Sequence, residues 1–337
     1  MKRKFSRVWV SALFVVLLVS HLACAAEPPF FFDKEKASEQ ILSEESEAYF
    51  SVMQSVELAA LENRKVIDLP LIEQRANFKS FTAGLAREFS DEEREALTEV
   101  AKRADALLRG WVPKIAELQW RFLKMDARYC SGFPHTREDF IVVPEWLAAM
   151  AVMVVSSEEA VELGMMDRVL EVMIHEKMHV SQRNFPEEFK AIYKELWEFD
   201  HIDPVCAHSS FEHRLAHNPD ALDYGFITNL RGDWYLPLVL FRDGEESPEL
   251  GADFVSQLFL LKREGNAAEV VGKDGEAVSL PLNDEDYMKR LPLVGFERGG
   301  DHPHEILAYS ATQILGLGQP AKEEDAEKLE VLKKAMA

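Results

Sequence analysis

Cysteine is scarce in this chain, with three among 337 residues. One of them, Cys24, falls in the N-terminal segment, so no disulfide framework carries the fold. Cys130 and Cys206 are left. An oxidising compartment permits them to pair, but spacing alone does not bring them within bridging distance. Positive charge is also short: Lys and Arg number 38 against 59 Asp and Glu, a net charge of −21. Such a balance repels phosphate backbones and anionic lipid, which excludes nucleic acid as an expected partner. Its plainest use is to keep the protein soluble. Internal repeats and low-complexity stretches are absent, and the composition is neither fibrous nor disordered. Long apolar runs are missing too, apart from one at the N-terminus.

That run identifies residues 1–26 as a separate object. Lys2, Arg3, Lys4 and Arg7 are followed by an apolar stretch from Val8 to Val19, with no acid before Glu27. Ala23, Ala25 and Ala26 then offer small residues for cleavage. Basic, apolar and small segments in this order make a signal peptide. The apolar stretch is short for a membrane span, which needs about 20 residues. The expectation is export, periplasmic or secreted, with cleavage between Ala23 and Glu27 and no stable membrane insertion afterwards. A lipid anchor on Cys24 is disfavoured by His21 and Leu22 before it. Loss of the four basic residues takes the net charge to −25.

With 47% apolar residues, the remainder can bury a sizeable core in one large domain or two small ones. Residues 27–128 read as a helical N-terminal region, residues 129–320 as the functional core, and residues 321–337 as a charged helix or tail. Residues 27–40 are rich in Pro, Phe and charge and read as a linker. Ile41 to Leu61 has helical spacing. Ser90 and Glu93 form a capping-box pattern ahead of Leu97, Val100, Ala101, Ala104, Leu107 and Leu108. Trp111 to Met125 reads as a further helix with Pro113 in its first turn. Phe140 to Val143, ended by Pro144, predicts a strand, either an edge that takes a peptide or an ordinary buried one. Ser156 or Ser157 caps a short helix ending at Gly164. Helices follow from Met166 to Asn184 and from Glu187 to Phe199. Trp234 to Phe241 predicts a strand that Pro237 confines to an edge or bulge. Phe254 to Leu261 is apolar without a clear period. Asp274-Gly275 marks a hairpin turn. His304 to Leu315 is helical, stopped by Gly316 and Gly318.

The chemistry concentrates at His175-Glu176-Lys177-Met178-His179. Residues four apart on a helix share a face one turn apart. Two imidazoles so placed can grip one metal ion, and Glu176 stands beside them to take a proton from water and pass it on. Val169, Leu170, Met173, Ile174 and Met178 make this a buried helix, where unpaired polar groups are costly.

This pattern resembles the zincin metallopeptidases, whose signature is a His-Glu-x-x-His helix. The metzincin extension requires Gly and His where this chain has Gln182 and Phe185, so that branch is excluded. The stretch His302-Pro303-His304-Glu305-Ile306-Leu307-Ala308-Tyr309 is similar to the second helix of gluzincins, which supplies a glutamate as third ligand. The resemblance covers mainly residues 135–315, and the separation of His179 from Glu305 exceeds that of the best-known gluzincins. It implies an α+β fold, mostly helical, with a zincin-like metallohydrolase core and a helical N-terminal part. It implies Zn2+ held by His175, His179 and Glu305, with Glu176 as catalytic base, and hydrolysis of a peptide or protein substrate. Glu198, 19 positions after His179, is the rival ligand; Asp220, His201 and His217 follow. A zinc hydrolase of a non-peptide amide or ester, and a degenerate zincin that only binds, are the other classes.

Three further groups draw attention. Cys206, His208, His213 and His217 are close enough in sequence for a structural zinc site. Arg214 and Asp220 could orient a ligand histidine. Tyr224, Tyr235, Tyr309, His302 and His304 are the donors considered for a developing oxyanion. Each has an ordinary packing role as its alternative.

Overall fold

The computed structural model of the chain describes residues 27–43, 49–292, 299–318 and 323–337. Residues 1–26, where a signal peptide is expected, lie outside the described residues. The fold is α+β, with more helix than strand.

Its first half is built on a four-stranded sheet in the order Phe30–Phe31, Arg121–Met125, Phe140–Pro144, His135–Arg137. The first three strands are parallel and the last is antiparallel to Phe140–Pro144. The strand Phe140–Pro144 is buried along its whole length because both faces of the sheet are covered. Phe122, Ile141 and Val143 point into one core with the helices Asp91–Arg109, Glu145–Ser156 and Met165–Asn184. Leu123, Met125, Phe140 and Val142 point the other way, onto the N-terminal helices Lys34–Leu42 and Leu71–Ala83. The strict alternation of a pleated strand therefore divides one apolar run between two cores.

Three expectations change here. The linker read at residues 27–40 is instead a short strand and a helix capped by Asp33, whose side chain accepts from Lys36 N–H. The helix expected over Trp111 to Met125 stops after one turn, Pro113–Ala116, and its second half is the strand Arg121–Met125. Sheet burial outweighs local helical preference there. Phe140–Pro144 is an interior strand, so the edge belongs to His135–Arg137. The capping box at Ser90 is present in both its hydrogen bonds, at 3.2 and 2.8 Å.

The second half adds a seven-stranded, mainly antiparallel sheet: Phe199–His201, Phe226–Leu230, Asp233–Phe241, Phe254–Glu264, Ala267–Val270 and Val205–Cys206 in order, with Ser279–Pro281 beside Phe254–Glu264. Pro237 sits inside Asp233–Phe241. The pairing with Phe226–Leu230 covers only Asp233 to Tyr235, so on that side the strand is an edge at Pro237, as a missing N–H requires. The unassigned apolar run becomes the long strand Phe254–Glu264. Asp274 and Gly275, with φ of 54° and 89°, make the expected hairpin turn. The charged C-terminal stretch is a docked helix, Glu323–Met336. Its Leu332 is fully buried, and the carbonyl of Lys333 accepts from Trp111 Nε1 at 2.8 Å. Cys130 is buried, Cys206 is exposed, and they do not pair.

Candidate metal centre

The helix Met165–Asn184 crosses between the two halves and carries the polar motif inward. His175 and His179 lie one turn apart with their Nε2 atoms 3.0 Å from each other. The helix Pro303–Ile314 packs against it with Ala308 fully buried. A small residue there lets the helices come close, and Glu305, one turn earlier, reaches the imidazoles. Its two oxygens lie 3.3 Å from His175 Nε2 and 3.4 Å from His179 Nε2. Gly299 matters to this approach. Its φ is +90°, and a Cβ there would come within 2.9 Å of the Glu305 Cβ.

These three side chains form a group that could hold a metal ion. The donor set fits zinc: in a tetrahedron, ligands about 2.1 Å from the ion stand about 3.4 Å apart. At two of the three side chains, His179 and Glu305, the protonation state agrees with ligation. Burial drives the His179 ring down to about 3, keeping it neutral. Burial alone would raise the Glu305 carboxyl, but the imidazoles of His179 and His175 and the Asn218 amide hold it well below the usual range. At His175 burial acts downward, and the Glu305 carboxylate more than compensates, raising it.

A second layer holds the ligands in place. Gln182 Oε1 accepts from His179 Nδ1–H at 2.8 Å, which turns the Nε2 lone pair toward the triad. The same amide donates through Nε2 to the carbonyl of His304 at 2.9 Å, tying the two helices together. Asn218 Nδ2 donates to Glu305 Oε1 at 2.7 Å.

Glu176 lies beside this group. Its Oε2 accepts from the Thr136 hydroxyl at 2.9 Å. Thr136 also donates its backbone N–H to Asp220. Burial raises both the Glu176 and Asp220 carboxyls above the ordinary range; at Asp220 the neighbouring Glu176 adds to the effect. A carboxylate raised in this way is suited to taking and returning a proton near neutral pH.

His175, Glu305 and Glu176 line a cavity of about 900 Å³, with His179 buried behind them. Its far walls include Tyr49, Leu61, Pro237, Val239 and Phe254. This combines a few convergent polar groups with a broad apolar lining, as small-molecule and peptide sites do.

Sequence position alone separated some groups that the fold joins and joined others that it separates. Glu198 ends the helix Pro186–Trp197 in a left-handed conformation and pairs with Arg290 at 2.8 Å, away from the triad. Cys206, His208, His213 and His217 do not assemble: Cys206 is exposed, His208 bonds Ser210, and His217 bonds Glu57. His201 pairs with Asp223. Asp220 supports Thr136 instead of a histidine, and the buried Arg214 Nε has no hydrogen-bond partner. Gln182, Asn218, Thr136 and Glu57 were not singled out as functional groups. Gln182 alone carried a local signal, three residues after His179 and on the same helix face.

The chain matches no protein-family model, and neither a curated protein nor a solved structure shows similarity to it.

Proposed function

We propose that this chain is an exported zinc-dependent hydrolase of peptide bonds, with a zincin-like core of gluzincin type. The observation that carries the reading is the convergence of His175, His179 and Glu305 to separations of 3.0–3.4 Å beside a buried glutamate. A zinc ion held there supplies a Lewis acid that polarises a carbonyl and makes water acidic. His175, His179 and Glu305 would hold the ion. Glu176 takes the proton from the attacking water and returns it to the leaving amine. Thr136 keeps the Glu176 carboxylate in position through its 2.9 Å hydrogen bond. The cavity offers apolar surface to substrate side chains. A net charge of −21 opposes nucleic-acid substrates and suits a soluble protein acting on peptides or proteins. Among the described residues, no helix is long and apolar enough to cross a membrane.

The test is elemental analysis of purified protein together with cleavage of a fluorogenic peptide library. One zinc per chain is expected, lost in His179→Ala and kept in Glu176→Gln. Glu176→Gln should lower turnover by about 100-fold or more. Zinc with turnover of an ester library alone would move the reading to a non-peptide hydrolase. Zinc without any turnover would leave a binding protein. Sequencing the N-terminus of exported protein checks the processing, and an intact Met1 or a lipid on Cys24 would contradict it.

A further inference from the structure

The ionisable groups that line the cavity are of one kind. Glu57, Glu171, Glu176, Asp220, Asp301 and Glu305 all stand in its wall, and among the described residues no Lys or Arg does. Most of these carboxyls are committed. Glu305 reaches the two imidazoles, Glu176 accepts from the Thr136 hydroxyl, Asp220 accepts the Thr136 backbone N–H, and Glu57 lies 2.7 Å from His217 Nδ1. Glu171 and Asp301 remain. Among the described residues neither has an ion pair, and Glu171 has no hydrogen bond.

Glu171 is built into the helix that carries the metal motif, Met165–Asn184, four residues before His175. The two side chains therefore share a face, about 6 Å apart along the axis. Arg168, three residues earlier on the same helix, does not pair with it. The carboxylate is half-buried and seated against the backbone of Gly318, whose φ is +72°. A Cβ at Gly318 would collide with Glu171 Oε1, so glycine at this turn gives the carboxylate its room. A partly buried carboxylate without a partner is costly. A cation brought in from outside the chain would offset that cost. The net charge of −21 acts in the same direction, because a cleft lined by one sign of charge focuses the field and draws in the other.

We propose that this cavity selects a basic residue next to the cleaved bond, with Glu171 as the specificity-determining side chain that pairs with its ammonium or guanidinium group. A Lys or Arg side chain reaches about 6 Å from its Cα, which matches the one helical turn between His175 and Glu171. A guanidinium can take both carboxylate oxygens at once. No bond is made or broken at Glu171. The proposal names the substrate class of the hydrolase reading above and rests on it.

The zinc-loaded full chain is assayed on fluorogenic peptides with acetylated N-termini and amidated C-termini, in which each residue flanking the cleaved bond is Lys, Arg, norleucine or Glu. kcat/KM for the Lys or Arg peptide should exceed that of the uncharged norleucine peptide by about tenfold or more, and the ratio should fall as salt is added. Glu171→Gln, close in shape, should bring the ratio to about one, whereas Asp301→Asn should leave it standing. Zinc analysis and near-UV circular dichroism confirm that each variant is loaded and folded. A parent ratio near one, a ratio that survives Glu171→Gln, or one that Asp301→Asn alone abolishes overturns the assignment. The unacetylated peptides separate the two sources of positive charge: a preference seen only with a free α-amino group overturns the basic side chain as its origin. If the parent cleaves no peptide, the hydrolase reading fails and binding decides the role of Glu171. Nα-acetyl-lysine hydroxamate should then bind the zinc-loaded protein about tenfold more tightly than Nα-acetyl-norleucine hydroxamate, and Glu171→Gln should remove the difference. Equal affinities, or no binding of either compound, overturn the proposal by that route.

Discussion

At Gln182 a single amide serves two helices, accepting from His179 and donating to the backbone next to Glu305. Its loss should loosen the metal without emptying the core. Gln182→Leu is expected to weaken zinc about 10- to 100-fold, read by competition with a chromophoric chelator. Unchanged affinity would mean that packing alone orients His179. His135 makes a different prediction. Burial lowers its ring to about 3, with the Phe133 carbonyl, 3.1 Å from Nδ1, opposing. The unfolded chain takes up that proton near pH 6.5, whereas the folded chain does so only near pH 3. Stability from this residue is therefore complete above pH 6.5 and lost as pH falls from there toward 3, at up to about 1.4 kcal/mol per pH unit. Urea midpoints of the parent should fall across that window more steeply than those of His135→Phe. Parallel curves would remove His135 from acid unfolding. Neither role is readable from the sequence, because Gln182 needs the second helix and His135 needs the enclosing sheet.

Elements were legible where local signals agree with burial. Ser90 and Glu93 mark a helix start because each satisfies an N–H of the other end of the turn. Ser90→Ala should cost about 1 kcal/mol in urea unfolding and leave zinc affinity alone. A measured loss of metal would mean that this helix is coupled to the site. The stretch after Trp111 departs from its helical spacing because Arg121–Met125 is flanked by parallel strands from elsewhere in the chain, which no periodicity reports. The approach of the helices carrying His175, His179 and Glu305 is the element-level feature on which the candidate metal centre depends. Ala308 is fully buried one turn from Glu305, so Ala308→Leu should cost about 1–3 kcal/mol and weaken zinc together. Stability lost with zinc affinity intact would show that Glu305 does not depend on this contact.

Across the whole molecule, the first sheet joins Phe30–Phe31 to strands more than 90 residues later, and its second face is closed by the N-terminal helices. A chain starting at Leu71 would expose Leu123, Met125, Phe140 and Val142. It is expected to be expanded or aggregated by size-exclusion chromatography. A compact, soluble product binding zinc would contradict the three-layer arrangement as the folding unit. What the sequence by itself determined is local: the helix carrying His175, Glu176 and His179, the helix starting near Glu305, the capping box, the Asp274-Gly275 turn and the acidic balance. Each follows from spacing or charge within a few turns of chain. Only the tertiary structure decided that Glu305 meets the imidazoles while Glu198 turns away to Arg290. It alone also placed Asn218 and Glu57 around one cavity and Thr136 behind Glu176. Those placements depend on which buried surfaces meet across 40 to 160 residues, and such contacts leave no period in the chain.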